Sequence, residues 1–145
     1  ECMQAIEDGV VQPGDVVISR NQGLKGGPAM GGSASLILFA LDAAGLAKTT
    51  AFVTDGQLSG LCLKGLTVAE VHPEAATGGP IGKVRDGDIV RISVANRSID
   101  VDVPADELAR RPAPGYVVPA SGYLDTFRQD VRDMSTGGVL LPDVK

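Results

Sequence analysis

Residues 14–54 read GDVVISRNQGLKGGPAMGGSASLILFALDAAGLAKTTAFVT, and this stretch decides the fold class. Asp15–Arg20 (DVVISR) follows the Pro13-Gly14 turn and carries the short apolar, β-branched run of a strand. Asn21–Ser33 (NQGLKGGPAMGGS) holds five glycines and reads as a loop. Ser33 is placed to cap a helix from about Ala34 to Ala44, which Gly45 ends. Leu36, Ile37, Leu38, Phe39 and Leu41 make that helix apolar nearly all round, so it is expected to be buried. Thr49–Thr54 (TTAFVT) reads as a second strand. Strand, loop, helix, strand is the order of a parallel crossover unit, because parallel neighbours require a long return connection.

Upstream, Glu1–Asp8 reads as the end of a helix stopped by Gly9. A chain that opens inside an element is expected of a fragment of a longer protein. Downstream, Asp86-Gly87-Asp88 turns the chain into Ile89–Ala95, where Val90, Ile92 and Val94 alternate with Arg91 and Ser93. After Asn96-Arg97-Ser98, Ile99, Val101 and Val103 alternate with Asp100 and Asp102. Period-two alternation on both arms predicts a hairpin with one wet face. Pro104–Arg111 is a short helix with acids early and bases late, and Pro112–Pro119 is a spacer. Ser121–Met134 places Leu124, Phe127, Val131 and Met134 at helical spacing and ends near Gly137. The 145 residues therefore read as one mixed α/β domain, a crossover half and a hairpin half sharing a core.

Composition narrows the function. With 43% hydrophobic and 21% charged residues the chain falls in the ordinary globular class. The 19 glycines and 9 prolines punctuate apolar runs, so they mark turns rather than disorder. Net charge is −5, Arg110-Arg111 is the lone basic cluster and aromatics are 3%, which sets nucleic-acid binding aside. No stretch reaches the roughly eighteen apolar residues of a membrane helix, and Glu1-Cys2-Met3-Gln4 resembles no signal peptide, so the cytoplasm is expected. Cys2 and Cys62, with His72 as the single histidine, provide neither a disulfide framework nor a metal site within the chain.

Ligands in parallel α/β units gather at the carboxyl ends of strands. Two loops follow strands here: Gly23–Gly32, and Asp55–Gly60 (DGQLSG). A parallel arrangement brings both to one end of the sheet. The glycine loop suits either an anion cradle of main-chain N–H groups or a close backbone crossing that tolerates no side chains. It matches neither the P-loop nor the dinucleotide pattern. On composition alone Ser59 reads as a turn residue, because no base stands ready to activate it. Asp55, Glu70 and Glu74 read as solvated carboxylates before they read as acid–base groups. Cys62 reads as a small buried hydrophobe and His72 as a helix-start residue before Pro73-Glu74.

Five segments carry a resemblance that spans nearly the whole chain. They are GDVVISRNQGLKGGPAM, VTDGQLSG, HPEAATGGPIGKVRDGDIVRI, NRSIDVDVPADELARR and SGYLDTFRQDVRDMSTGGVL. In that order they resemble the C-terminal domain of the dihydroxy-acid and sugar-acid dehydratase family. The family shows them as a GGPGM loop, a TDGxxSG loop, SPEAxxGGP, an NRxL hairpin and a closing helix. The resemblance implies a swivelling, β-barrel-like α/β domain with flanking helices (β/β/α), the C-terminal domain of a two-domain enzyme. It implies a hydro-lyase that converts a 2,3-dihydroxy carboxylic acid to a 2-keto acid, foremost the dihydroxy-acid dehydratase of branched-chain amino-acid biosynthesis. An iron–sulfur cluster and Mg²⁺ are implied cofactors, with ligands mostly in the absent N-terminal domain, so the isolated domain is expected to be inactive. Ser59 falls at the family's catalytic base. Gly27, Pro28, Met30, Asp55, Gly56 and Gly60 fall at its substrate loops. Expected partners are the small dihydroxy or sugar acid, the chain's own N-terminal domain and, at full length, a second copy.

Two departures stand out. The family's GGPGMPEM loop offers a Mg²⁺-binding glutamate where GGPAMGGS has Gly32, so no metal ligand is carried over. The segment after Ser59 is about one residue longer than usual and has Glu70-Val71 where His-Val is common. These keep open an aldonate or phosphogluconate dehydratase, and a divergent domain that kept the scaffold without the chemistry. A stand-alone small-ligand binder is the weakest alternative.

Overall fold

The computed structural model describes residues 1–27, 31–62, 64–113 and 122–140. Helix α1 (Cys2–Glu7) leads to strand β1 (Val16–Ser19), helix α2 (Gly31–Ala43) and strand β2 (Ala51–Thr54). Strand β3 (Leu66–Val68) completes a three-stranded parallel sheet in the order β1-β2-β3. Val16 to Ser19 pair in register with Ala51 to Thr54, so the crossover expected from residues 14–54 is present. Two 3₁₀ turns, Ala75–Thr77 and Pro80–Lys83, lead to a hairpin of β4 (Val90–Ser93) and β5 (Ser98–Val101). Helices α3 (Ala105–Arg110) and α4 (Tyr123–Asp130) and a last 3₁₀ turn (Met134–Thr136) follow.

Every residue of β2 is buried, because the sheet is covered on both faces. On one face Val17 and Phe52 meet Ile6 of α1 and Ala34, Ile37, Leu38 and Leu41 of α2. On the other, Val53 meets Ala75 and Ile81, with Val16, Ile18, Val68, Val71 and Ile92 around them. Burying a side chain such as Phe52 or Leu41 stabilises by roughly 1.5–3 kcal/mol, so β2 anchors the fold. The hairpin half is tied on by charged groups. Arg20, just past β1, donates to the Val84 carbonyl at 2.7 Å. Arg111 bonds both carboxylate oxygens of Asp88, joining the end of α3 to the turn before β4.

Four expectations are corrected. The helix begins at Gly31 rather than Ala34, and Ser33 does not cap it but donates to Gln22 Oε1 at 2.8 Å. Nor is α2 buried all round: Leu36 and Phe39 are 59% and 48% exposed, because the sheet and α1 cover one side of it. The last helix stops at Asp130 rather than near Gly137. There the backbone leaves helical geometry, Arg132 N–H pairs with the Val139 carbonyl, and Val131 bridges Leu140. Val131, Phe127 and Met134 still pack together, against Leu24. Finally, the parallel sheet and the hairpin are separate among the described residues, a mixed α/β arrangement with no closed barrel. The 114–119 part of the expected spacer, and Ser121, lie outside the described residues.

Candidate active site

Parallel pairing of β1 with β2 puts the segments after both strands at one end of the sheet. Asp55, the first residue past β2, is 2% exposed. Its Oδ2 accepts the main-chain N–H of Asn21 at 3.0 Å and of Ala75 at 2.9 Å, and its Oδ1 that of Gln22 at 2.8 Å. One carboxylate thus joins three segments that are distant in sequence. With both oxygens taken up by backbone, Asp55 builds the loops rather than facing outward. Gly56 is buried behind it, its N–H on Thr54 Oγ1 at 3.0 Å.

Glu74 enters the same site, against the expectation of a solvated acid. It is 8% exposed, and its carboxylate accepts Lys25 N–H at 2.7 Å and, more loosely, Gly26 N–H at 3.5 Å. Burial pushes its pKa up; the two N–H groups oppose that and the neighbouring Asp55 adds to it. Gly23 is what lets the carboxylate in: a Cβ there would lie 1.7 Å from Glu74 Oε2. The HPEA motif held the signal, an acid beside a turn in a chain with a glycine loop to receive it. Nothing local distinguished it from Glu70, which is exposed.

Ser59 is half-buried, and its hydroxyl accepts Leu61 N–H at 3.3 Å. Its main chain lies against the start of α2, where a Cβ on Gly31 would fall 2.7 Å from Ser59 N. That close approach explains why glycine starts the helix, despite its poor helix propensity. It also sets Ser59 beside the positive end of the α2 dipole, which favours negative charge. Gly60 is exposed in the same turn, and Gly27 is half-buried, bonding Gly23 O through its N–H at 2.9 Å. Pro28 and Met30 lie outside the described residues.

His72 is not a helix-start residue. Its Nδ1 lies 3.1 Å from Asp133 Oδ1, at the N-cap of the last 3₁₀ turn. The Ser135 hydroxyl and then its N–H hold the Asp133 carboxyl below its ordinary range. Among the described residues, no group of three or more His, Cys, Asp or Glu side chains can hold a metal ion. Cys2 donates to the Ile18 carbonyl and Cys62 to Ser35 Oγ, both beside the α2 core. Among the described residues, then, no set of three side chains would by itself hold an iron–sulfur cluster or a metal ion. The cavity between Gly23, Glu74, His72 and Asp133 measures about 10 Å³, far below the few hundred that enclose a small-molecule ligand.

A parallel crossover with a glycine loop and a serine turn meeting at a helix start defines an α/β loop-site domain. This chain belongs to the Dihydroxy-acid/6-phosphogluconate dehydratase C-terminal family, whose model matches residues 1–138. It is 38% identical over 143 residues to dihydroxy-acid dehydratase 1 of Methanosarcina acetivorans. It is 38% identical over 145 residues to the dihydroxy-acid dehydratase of Desulfatibacillum aliphaticivorans, and 42% over 142 residues to that of Pyrococcus furiosus. Each match covers 97% of this chain and 25%, 26% and 25% of the relatives respectively, so the chain spans about a quarter of their length.

Proposed function

We propose that this chain is the C-terminal domain of a hydro-lyase that dehydrates a 2,3-dihydroxy carboxylic acid to a 2-keto acid. The observation that carries the reading is Ser59, half-open in its turn against the first residue of α2. In this reading Ser59, as its alkoxide, is the base that removes the proton from C2. The α2 N-terminus favours that charge by only about 1 kcal/mol, and the larger pKa depression would come from a metal charge supplied outside this chain. The C2–H electron pair forms the C2–C3 double bond, the C3–O bond breaks, the departing hydroxide takes up the proton held by Ser59 and leaves as water, and the enol tautomerises to the keto acid. Gly27, Gly56 and Gly60 shape the loops beside Ser59, and Asp55 holds those loops together.

The iron–sulfur cluster and Mg²⁺ are held, in this reading, mostly by the remainder of a longer protein, as the family resemblance implies. The isolated domain is then inactive. Leu36, Phe39 and Leu61 are exposed on α2 and just beyond Ser59, and they support seating of that remainder over this end, with swivelling as the motion that opens the site. A full-length homodimer in the cytoplasm fits the same reading, and no helix among the described residues is long and apolar enough to cross a membrane. The names of the three relatives support a dihydroxy acid as substrate, and the branched-chain precursor 2,3-dihydroxyisovalerate is the one proposed here. The family description, which also covers 6-phosphogluconate, supports the sugar-acid alternative.

The test is an anaerobic assay of the full-length protein, cluster-reconstituted and given Mg²⁺, with 2,3-dihydroxyisovalerate and a panel of sugar acids. Keto-acid formation from the first is expected; turnover of sugar acids alone replaces the substrate. Silence across the panel with an intact cluster favours a scaffold that lost its chemistry.

Gly32 gives a second check. It is exposed in the first turn of α2 and a Cβ there meets nothing within 4 Å. Gly32→Glu is therefore expected to add about 1 kcal/mol of stability, from helix propensity and an acid near the helix N-terminus. It is also expected to lower the Mg²⁺ concentration needed for half-maximal activity at full length. An unchanged Mg²⁺ titration means another residue already serves at that place.

A further inference from the structure

We propose that Glu74 is a positioning residue: its carboxylate, seated against Gly23 and bonded to the Lys25 and Gly26 N–H groups, sets the shape of the substrate loop. This rests on the reading of Gly27 and its neighbours as that loop. Asp55 fixes the loop's first residues, Asn21 and Gln22, and also Ala75, the residue after Glu74. Glu74 fixes the next part, two residues before Gly27. The two carboxylates thus grip the loop in sequence, and both are almost fully buried.

The chemistry distinguishes this from a packing role. Desolvation makes the charged form of Glu74 costly, which is why its pKa is raised. A neutral amide of the same shape would avoid that cost, so the carboxylate is justified by what only an acceptor of both N–H groups can do. Glutamine keeps one acceptor toward Lys25, and turns an N–H₂ toward Gly26.

The sign of the pH dependence follows. A raised folded-state pKa means the folded protein holds the proton more tightly than the unfolded chain. The contribution of Glu74 to stability is full below the ordinary glutamate pKa and is lost as pH rises through the raised value. The charged groups lining the same cavity are Lys25, Asp55, His72, Arg132 and Asp133, so the titration is read against the variant rather than alone.

The experiment compares wild-type, Glu74→Gln and Glu74→Asp in the full-length protein, by hydrogen exchange of the peptide over 22–27, thermal melting and steady-state kinetics. Glu74→Gln is expected to melt no lower than wild type above the raised pKa, while the loop peptide exchanges on the order of tenfold faster, a local opening within a stable fold. KM is expected to rise by a similar factor, through misplacement of the substrate. As pH rises through the raised value, wild type is expected to lose melting stability relative to Glu74→Gln. Glu74→Asp, charged but one methylene short, is expected not to restore protection. Unchanged exchange in Glu74→Gln overturns the proposal, and so does a lower melting point with no local change. If exchange responds but Ser59→Ala retains full turnover, the positioning role stands and the catalytic reading fails.

Discussion

Ser59→Ala in the full-length protein is expected to lower kcat by roughly 100- to 10,000-fold, the range that a positioned general base supplies. The fold is expected to survive almost untouched. The Ser59 hydroxyl is half-open and makes one long contact, accepting Leu61 N–H at 3.3 Å, so its loss costs at most about 1 kcal/mol. The serine backbone, which Gly31 meets at the start of α2, is retained by alanine. An unchanged cluster spectrum and melting point, with turnover gone, is the expected combination. Activity near that of wild type would leave Ser59 as a turn residue and remove the base from the mechanism.

Asp55→Ala is expected to produce the largest loss of stability. It strips the acceptor from three main-chain N–H groups, those of Asn21, Gln22 and Ala75, in a setting that water reaches poorly. Each buried N–H left unpaired costs about 1–3 kcal/mol, and partial relaxation of the loops reduces the sum, giving an expected loss of about 3–5 kcal/mol. The measurement is the denaturant midpoint of the variant, with an unchanged slope indicating the same two states. A loss below about 1 kcal/mol would mean the three segments are held by other contacts. The contrast with Glu74→Gln is informative. Two neighbouring carboxylates, both buried, are expected to separate into one that holds the fold and one that shapes the loop.

The crossover unit was legible because its signals are local. Val16–Ser19 and Ala51–Thr54 are apolar and β-branched, the connecting helix is continuous, and glycines mark its limits. The hairpin was legible from alternation, although its paired strands are shorter than the alternating runs, and Val94 lies 71% exposed beyond β4. The helix start was misread because Gly31 and Gly32 are poor helix formers and looked like loop. Packing of Gly31 on the Ser59 turn overrides that propensity. The end of α4 was misread because Phe127, Val131 and Met134 keep helical spacing while the backbone between them changes course. Side-chain spacing reports which residues share a core, not the path the main chain takes to bring them there.

By itself the sequence determined the class of the domain, its family membership and the two loops that meet at the end of the parallel sheet. Those properties reside in periodicity, turn chemistry and motif order, all of which are written along the chain. Tertiary structure alone decided what the acids do. Asp55, Glu70 and Glu74 are chemically alike in a linear reading, yet Asp55 and Glu74 are buried and Glu70 is exposed. The difference arises from backbone N–H groups at residues 21, 22, 25 and 26, which come within reach of Asp55 and Glu74 only when β1 and β2 pair and the 74–77 turn folds back. A carboxylate is indifferent to its neighbours in sequence; desolvation and the donors that offset it exist only once distant segments are brought together.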